Sequence, residues 1–179
     1  MVTLAANSEG EAVTVIKIIL IAVVLLLTGD FISTFFYHVP EHIFGKYHGA
    51  VHHSHNRSFI RYAIATQNPL VLITGFLAAF PYLLFLPIFG SISPTGTILG
   101  LVLAQSHVQF RHLSPTTWTT PNTINYICKL LCITTPERHW QHHRNSRIAY
   151  GDIFTFYDKP AQLWFKFLLQ FKQKMSSQL

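Results

Sequence analysis

From Val13 to Tyr37 the chain reads VTVIKIILIAVVLLLTGDFISTFFY, with only Lys17 and Asp30 charged. A helix of that length, at about 1.5 Å per residue, crosses a hydrocarbon core of about 30 Å. Lys17 lies near the start, where its long stem can carry the ammonium back to the interface. Asp30 sits in the second half. A carboxylate at that depth is costly without a partner, which makes Asp30 a candidate for function. A packing role is the competing expectation.

Two further apolar stretches follow. The first, Pro69 to about Ile92, contains Pro81 and Pro87 and is expected to be one kinked span or a re-entrant hairpin. The second, Thr97 to about Phe110, is short for a complete crossing. Residues 124–134 read as a brief, partly buried helix. Near the C-terminus, Trp164, Phe167, Leu168 and Phe171 share a helical face opposite Lys166, Gln170 and Lys174. That pattern fits an interfacial helix or a core-packing one.

Half of the 179 residues are apolar, 11% are charged and the mean hydropathy is +0.32. A soluble domain of this size needs a more hydrated surface, so lipid is expected to be part of the solvent. The length suits one domain, residues 12–179, behind a small polar tail at 1–11 without the basic start of a signal peptide. The net charge of +6 does not indicate nucleic acid, because no basic run alternates with base-stacking aromatics. Lys46, Arg57 and Arg61 follow the first apolar segment; Arg111, Lys129, Arg138, Arg144 and Arg147 follow the third. By the positive-inside rule both groups are cytoplasmic, which three crossings satisfy. Cys128 and Cys132, at i, i+4, read as reduced residues. Asn56-Arg57-Ser58 reads as a chance glycosylation match on the cytoplasmic side.

Chemistry is concentrated in the histidines. Ten of the eleven fall into four clusters, each just beyond an apolar segment: His38-Val-Pro-Glu-His42, His48-Gly-Ala-Val-His52-His53, His107-Val-Gln-Phe-Arg-His112 and His139-Trp-Gln-His142-His143. Residues three and four apart share a helix face, so each cluster can aim its imidazoles at one point. One ion takes about four to six ligands, so ten histidines suit two ions better than one. Imidazole serves iron, zinc, copper and nickel alike, and ligand type alone does not name the metal. His55, the eleventh, reads as a bystander.

The order His-x3-His, His-x3-His-His, His-x4-His, His-x2-His-His resembles the fatty acid hydroxylase / sterol desaturase superfamily of membrane di-iron enzymes. Asp30-Phe31 two turns before the first cluster, Thr135-Pro136 before the last, and Tyr150-Gly151-Asp152 with Phe156-Tyr157-Asp158 after it carry the same likeness, from Asp30 to Lys159. The short length and the third cluster's spacing also resemble carotenoid hydroxylases. Two departures stand out: the second box has three residues before its His pair rather than two, and Thr66-Gln67-Asn68-Pro69 stands where relatives often carry Arg-x-His-Pro.

The resemblance implies an all-α fold of membrane helices under a cytoplasmic helical cap. It implies two irons, with zinc as an adventitious substitute, held by His38, His42, His48, His52, His53, His107, His112, His139, His142 and His143. Asp30 would orient one of these ligands. The activity implied is O₂-dependent hydroxylation or desaturation of a fatty acyl, sterol or carotenoid lipid. Phe35, Phe36, Tyr37, Phe44, Phe110 and Trp140 are candidates for an apolar channel. The chain has no nucleotide-binding Gly-x-Gly-x-x-Gly, so electrons would come from a ferredoxin or cytochrome b5-type protein docked near Arg138, Arg144, Arg147 and Lys159.

Two other readings remain. His38-Val-Pro-Glu41-His42 also spells a zinc metalloprotease signature with Glu41 as base, although Pro40 interrupts the helix it needs. A membrane metal carrier without redox chemistry is the third, although its histidines would be expected near the bilayer midplane rather than at segment ends.

Overall fold

In the computed structural model, residues 2–53 and 58–178 are described; His55 and the Asn56-Arg57 pair lie outside that set. The described residues form helices and turns without a β-strand. In chain order the helices are α1 (Val2–Ile32), α2 (Val39–Ile43), α3 (Tyr47–His52), α4 (Phe59–Thr66), α5 (Leu70–Leu83) and α6 (Leu86–Ile92). Then come α7 (Pro94–Arg111), α8 (Asn122–Leu130), α9 (Pro136–Arg144) and α10 (Asp158–Ser176).

The first apolar run continues without a break into the first histidine cluster. Between α1 and α2 the chain widens into a π-helical turn, Ser33–His38, and the helical rod persists to Ile43. Such turns are uncommon and concentrate at functional sites, because one extra residue per turn re-aims side chains. Here Ser33, Thr34, Tyr37 and His38 are all buried.

Close approaches fix the arrangement of the long helices. The ring of Tyr82 lies against Gly29, and the Tyr37 hydroxyl donates to the Thr74 carbonyl at 2.8 Å, so α5 runs back along α1. Phe89 joins Ile21 and Leu25 in a buried cluster, so α6 continues in the same direction. The Leu70–Ile92 stretch is therefore one span rather than a hairpin. It breaks at Leu84–Phe85 because Pro87 has no N–H to donate to the preceding turn.

Ser93 caps the next helix, accepting from the Gly96 N–H at 3.2 Å with Pro94 at the first position. A β-carbon at Gly96 would meet the Ile18 carbonyl at 2.7 Å, and one at Gly100 would meet Leu25. These two glycines let α7 lie against α1 and run parallel to it. The result is three legs, with α1 and α7 parallel to each other and α5–α6 antiparallel to α1. Two stretches, Gly10–Ile43 and Leu70–Ile92, are long and apolar enough to cross a membrane. The histidine end of the legs is covered by α2, α3, α9 and α10.

Only part of α10 matches its expected face. Ala161, Trp164, Phe165 and Leu168 pack with Val39, Tyr150 and Phe35, whereas Phe167 and Phe171 are exposed. The helix is both core-packing and apolar on a second face. Cys128 is buried, Cys132 half-buried, and both are free thiols.

Candidate metal centre

Nine histidines from four elements meet beneath the cap. His38 and His42 come from the end of the first rod, His48 and His52 from α3 with His53 at its end, His112 from the end of α7, and His139, His142 and His143 from α9. The last helix is set by local rules. Thr135 caps it by accepting from the Arg138 N–H, Pro136 occupies the first position, and Glu137 accepts from the N–H and hydroxyl of Thr120. Trp140 donates to the Leu113 carbonyl at 2.9 Å and keeps α9 beside His112.

The ring nitrogens converge in two neighbouring sets. In one, the Nε2 atoms of His38 and His42 each stand 3.0 Å from Nε2 of His142. In the other, Nε2 of His139 stands 3.0 Å from Nε2 of His143 and 3.2 Å from that of His112. His52 lies between. One of its nitrogens is within 4.8 Å of donors from His112, His139 and His143, and it also groups with His38 and His142. His48 and His53 join the first set through His38, His42 and His142.

Hydrogen bonding on the outer nitrogens fixes which ones carry protons. Nδ1 of His142 lies 2.7 Å from the Ile148 carbonyl, that of His112 2.7 Å from Val108, and that of His53 3.2 Å from His143. A carbonyl only accepts, so each of these nitrogens carries the hydrogen and each Nε2 presents a bare lone pair. Tyr37 spends its hydroxyl hydrogen on Thr74, so at 3.3 Å it accepts from Nδ1 of His48. Nδ1 of His38 lies 3.2 Å from Oδ1 of Asp152. Ligating histidines are oriented in this way, with the outer nitrogen bonded to a carbonyl or carboxylate.

Ring nitrogens gathered this closely offer a donor set that a cation can share. Burial first, and then neighbouring charge, holds His48, His52, His139 and His142 well below the usual imidazole range, which keeps their lone pairs free at neutral pH.

Two expected residues sit elsewhere. His107 belongs to none of these groups; its Nε2 donates to the Thr134 carbonyl at 3.0 Å. Asp30 is fully buried but touches no histidine. Its carboxylate accepts from the backbone N–H groups of Ile153 at 3.1 Å and Phe154 at 2.7 Å, and from the Thr34 hydroxyl. The carboxylate that faces a ligand is Asp152, on the segment that Asp30 holds. Asp152 pairs with Arg111 at 2.5 Å and accepts from Ser33 at 3.0 Å. Burial works to raise its carboxyl, but Arg111 and then His38 outweigh this and hold it well below the usual carboxylate range.

Asp152 and Arg111 are thus a buried pair beside the histidines that the sequence reading did not single out; Asp152 lay in the Tyr150-Gly151-Asp152 segment, and Arg111 was counted only among the cations after the third apolar stretch. Asn68 is occupied away from the centre: its amide donates to the Tyr47 hydroxyl at 2.7 Å, and its oxygen accepts from the Leu70 N–H. Among the aromatics, Phe36 and Phe44 are exposed and Phe35 is in the core. A cleft of about 320 Å³ opens beside the second set, lined by His53, Ser114, Pro115, Thr116, Trp140, His143 and Arg144.

Long apolar helices joined at one end by a polyhistidine cluster define a membrane metalloprotein. Residues 22–162 match the fatty acid hydroxylase family, more than three quarters of the chain, and the protein belongs to that family. Membership makes it an oxidoreductase of the membrane lipid hydroxylase type. Neither a comparison with curated proteins nor one with solved structures returned a match.

Proposed function

We propose that this protein is a di-iron oxidase that uses O₂ to hydroxylate or desaturate a membrane lipid, with its histidines on the cytoplasmic face. The convergence of ring nitrogens from nine histidines, with Nε2 atoms 3.0–3.2 Å apart in two adjacent sets, carries the reading. His38, His42, His48, His53 and His142 would hold one ion, and His112, His139 and His143 the other, with His52 beside both. Iron, when bound, supplies the oxygen chemistry that abstracts hydrogen from an unactivated C–H bond.

The chain's own groups do the rest. The backbone carbonyls of Val108, His143 and Ile148 hold His112, His53 and His142 with their lone pairs inward, and the Asp152 carboxylate stands 3.2 Å from Nδ1 of His38. Tyr150, fully buried against His38, His42 and His142, closes one side of the site to water. Electrons would arrive from an acidic ferredoxin or cytochrome b5-type partner. Arg144, exposed at the rim of the 320 Å³ cleft, and nearby Arg147 offer a docking point. Arg138, expected to join them, is bound instead by Asp158.

The test is metal analysis of the purified protein joined to lipid analysis of cells with and without it. About two irons per chain and an oxygen-dependent lipid product are expected. Active protein free of iron would end the proposal. The protease reading loses support from Glu41, which falls in none of the groups of potential ligands and folds back over Gly45.

A further inference from the structure

The irregular segment on either side of α9 reaches far down the first span. The Tyr157 hydroxyl donates to the Leu27 carbonyl at 3.2 Å, and the two residues line one apolar hollow of about 210 Å³ with Phe31 and Phe85. Phe85 is 15 residues along the Leu70–Ile92 span (85 − 70), roughly 22 Å from its histidine end at 1.5 Å per residue. A cap resting on the membrane surface would not extend to that level.

The surface and backbone there are those of a lipid-embedded segment. Of the residues of α8 only Cys128 is buried; Leu130 is 69% exposed and Leu131 54%. Phe156, at the turn, and Leu163, on α10, are exposed as well. Non-helical backbone survives at membrane depth only where its polar groups are bonded. Here the Thr134 N–H donates to Ile153, the Thr155 N–H to Cys132, and the Thr134 hydroxyl to Gly151. The N–H groups of Ile153 and Phe154 would be left over, and these are the two that Asp30 accepts.

We propose that residues 130–135 and 152–158 form a wedge inserted into the lipid leaflet beside α1, with Leu130, Leu131, Phe156 and Leu163 against acyl chains. The lipid-facing surface of the spans continues onto this wedge, which is why lipid rather than a second copy covers it. α10 then climbs out parallel to α1: Trp164 donates to the Phe35 carbonyl and Lys172 to that of Ile43. Lys166, higher on α10, reaches the headgroups by snorkelling. Asp30 is thus the internal cap of a re-entrant segment, which accounts for a carboxylate midway along an apolar helix. The inference rests on the membrane reading of the chain and is independent of which metal it holds.

The experiment uses the full chain in phosphatidylcholine vesicles, with Cys128→Ser and Cys132→Ser as background. Single cysteines Leu130→Cys, Phe156→Cys, Leu163→Cys and Gln170→Cys receive an environment-sensitive fluorophore. Lipids carrying a spin label on the acyl chain should quench positions 130 and 156 several-fold more than position 170, with 163 between. Iodide should rank them in reverse. Equal iodide quenching at all four, or protection from both quenchers at 130 and 156, overturns the wedge: the first puts it in water, the second under a partner chain. Unmodified protein photolabelled by a lipid-dissolved diazirine supplies the same readout without mutation, and labelling absent from residues 124–131 and 154–163 is equally fatal. Iron content of the same samples separates this outcome from failure of the di-iron reading.

Discussion

Asp152 shows how one side chain couples packing to metal chemistry. It neutralises the buried Arg111 and stands beside Nδ1 of His38 with the same oxygen. Asp152→Asn keeps the shape but loses the charge. Metal affinity should then fall about 10- to 100-fold in a chelator competition, the usual consequence of removing a ligand's carboxylate partner. His107 provides the contrast. His107→Asn should keep the full metal complement, whereas His139→Asn should lose at least one ion. Equal metal loss from the two variants would return His107 to the ligand set.

At the scale of elements, contact between helices depends on missing side chains. At Gly96 the nearest obstacle to a β-carbon is the backbone carbonyl of Ile18, which cannot swing aside. Gly96→Ala should therefore push α7 from α1 and destabilise by about 1–3 kcal/mol, as overpacking does. A thermal unfolding midpoint in detergent that did not fall would contradict this packing. Asp30→Ala tests another joint, because it strands the N–H groups of Ile153 and Phe154 at about 1–3 kcal/mol each. Its metal affinity should fall too, since the same segment carries Asp152.

For the molecule as a whole, the histidine cluster is a liability without metal. His48, His52, His139 and His142 titrate well below 6.5 when folded but near 6.5 when unfolded. Below about pH 6.5 the unfolded chain therefore binds more protons than the folded one, and folding weakens as pH falls. Metal-stripped protein should lose thermal stability progressively between pH 7.5 and about 5.5, whereas metal-loaded protein should hold further into acid because the ions occupy the lone pairs. A flat profile for the stripped protein would refute the burial of neutral imidazoles.

The sequence alone determined the helical class, the membrane character and the presence of four histidine groups. Hydropathy over tens of residues and i, i+3/i+4 spacing are local properties and need no knowledge of the fold. The caps that the structure shows at Ser93 and Thr135 follow the same local logic. It could not decide between a kinked span and a hairpin at Pro81–Pro87, because that depends on which helix covers the segment. Nor could it sort His107 from His112: both lie near the end of α7, and only the rotation of that helix against α1 turns one to the centre and the other to the Thr134 carbonyl. Asp30 and Asp152 are 122 positions apart in the chain, so which carboxylate faces a histidine was settled by folding, where a 3 Å contact depends on tertiary packing rather than on residue type.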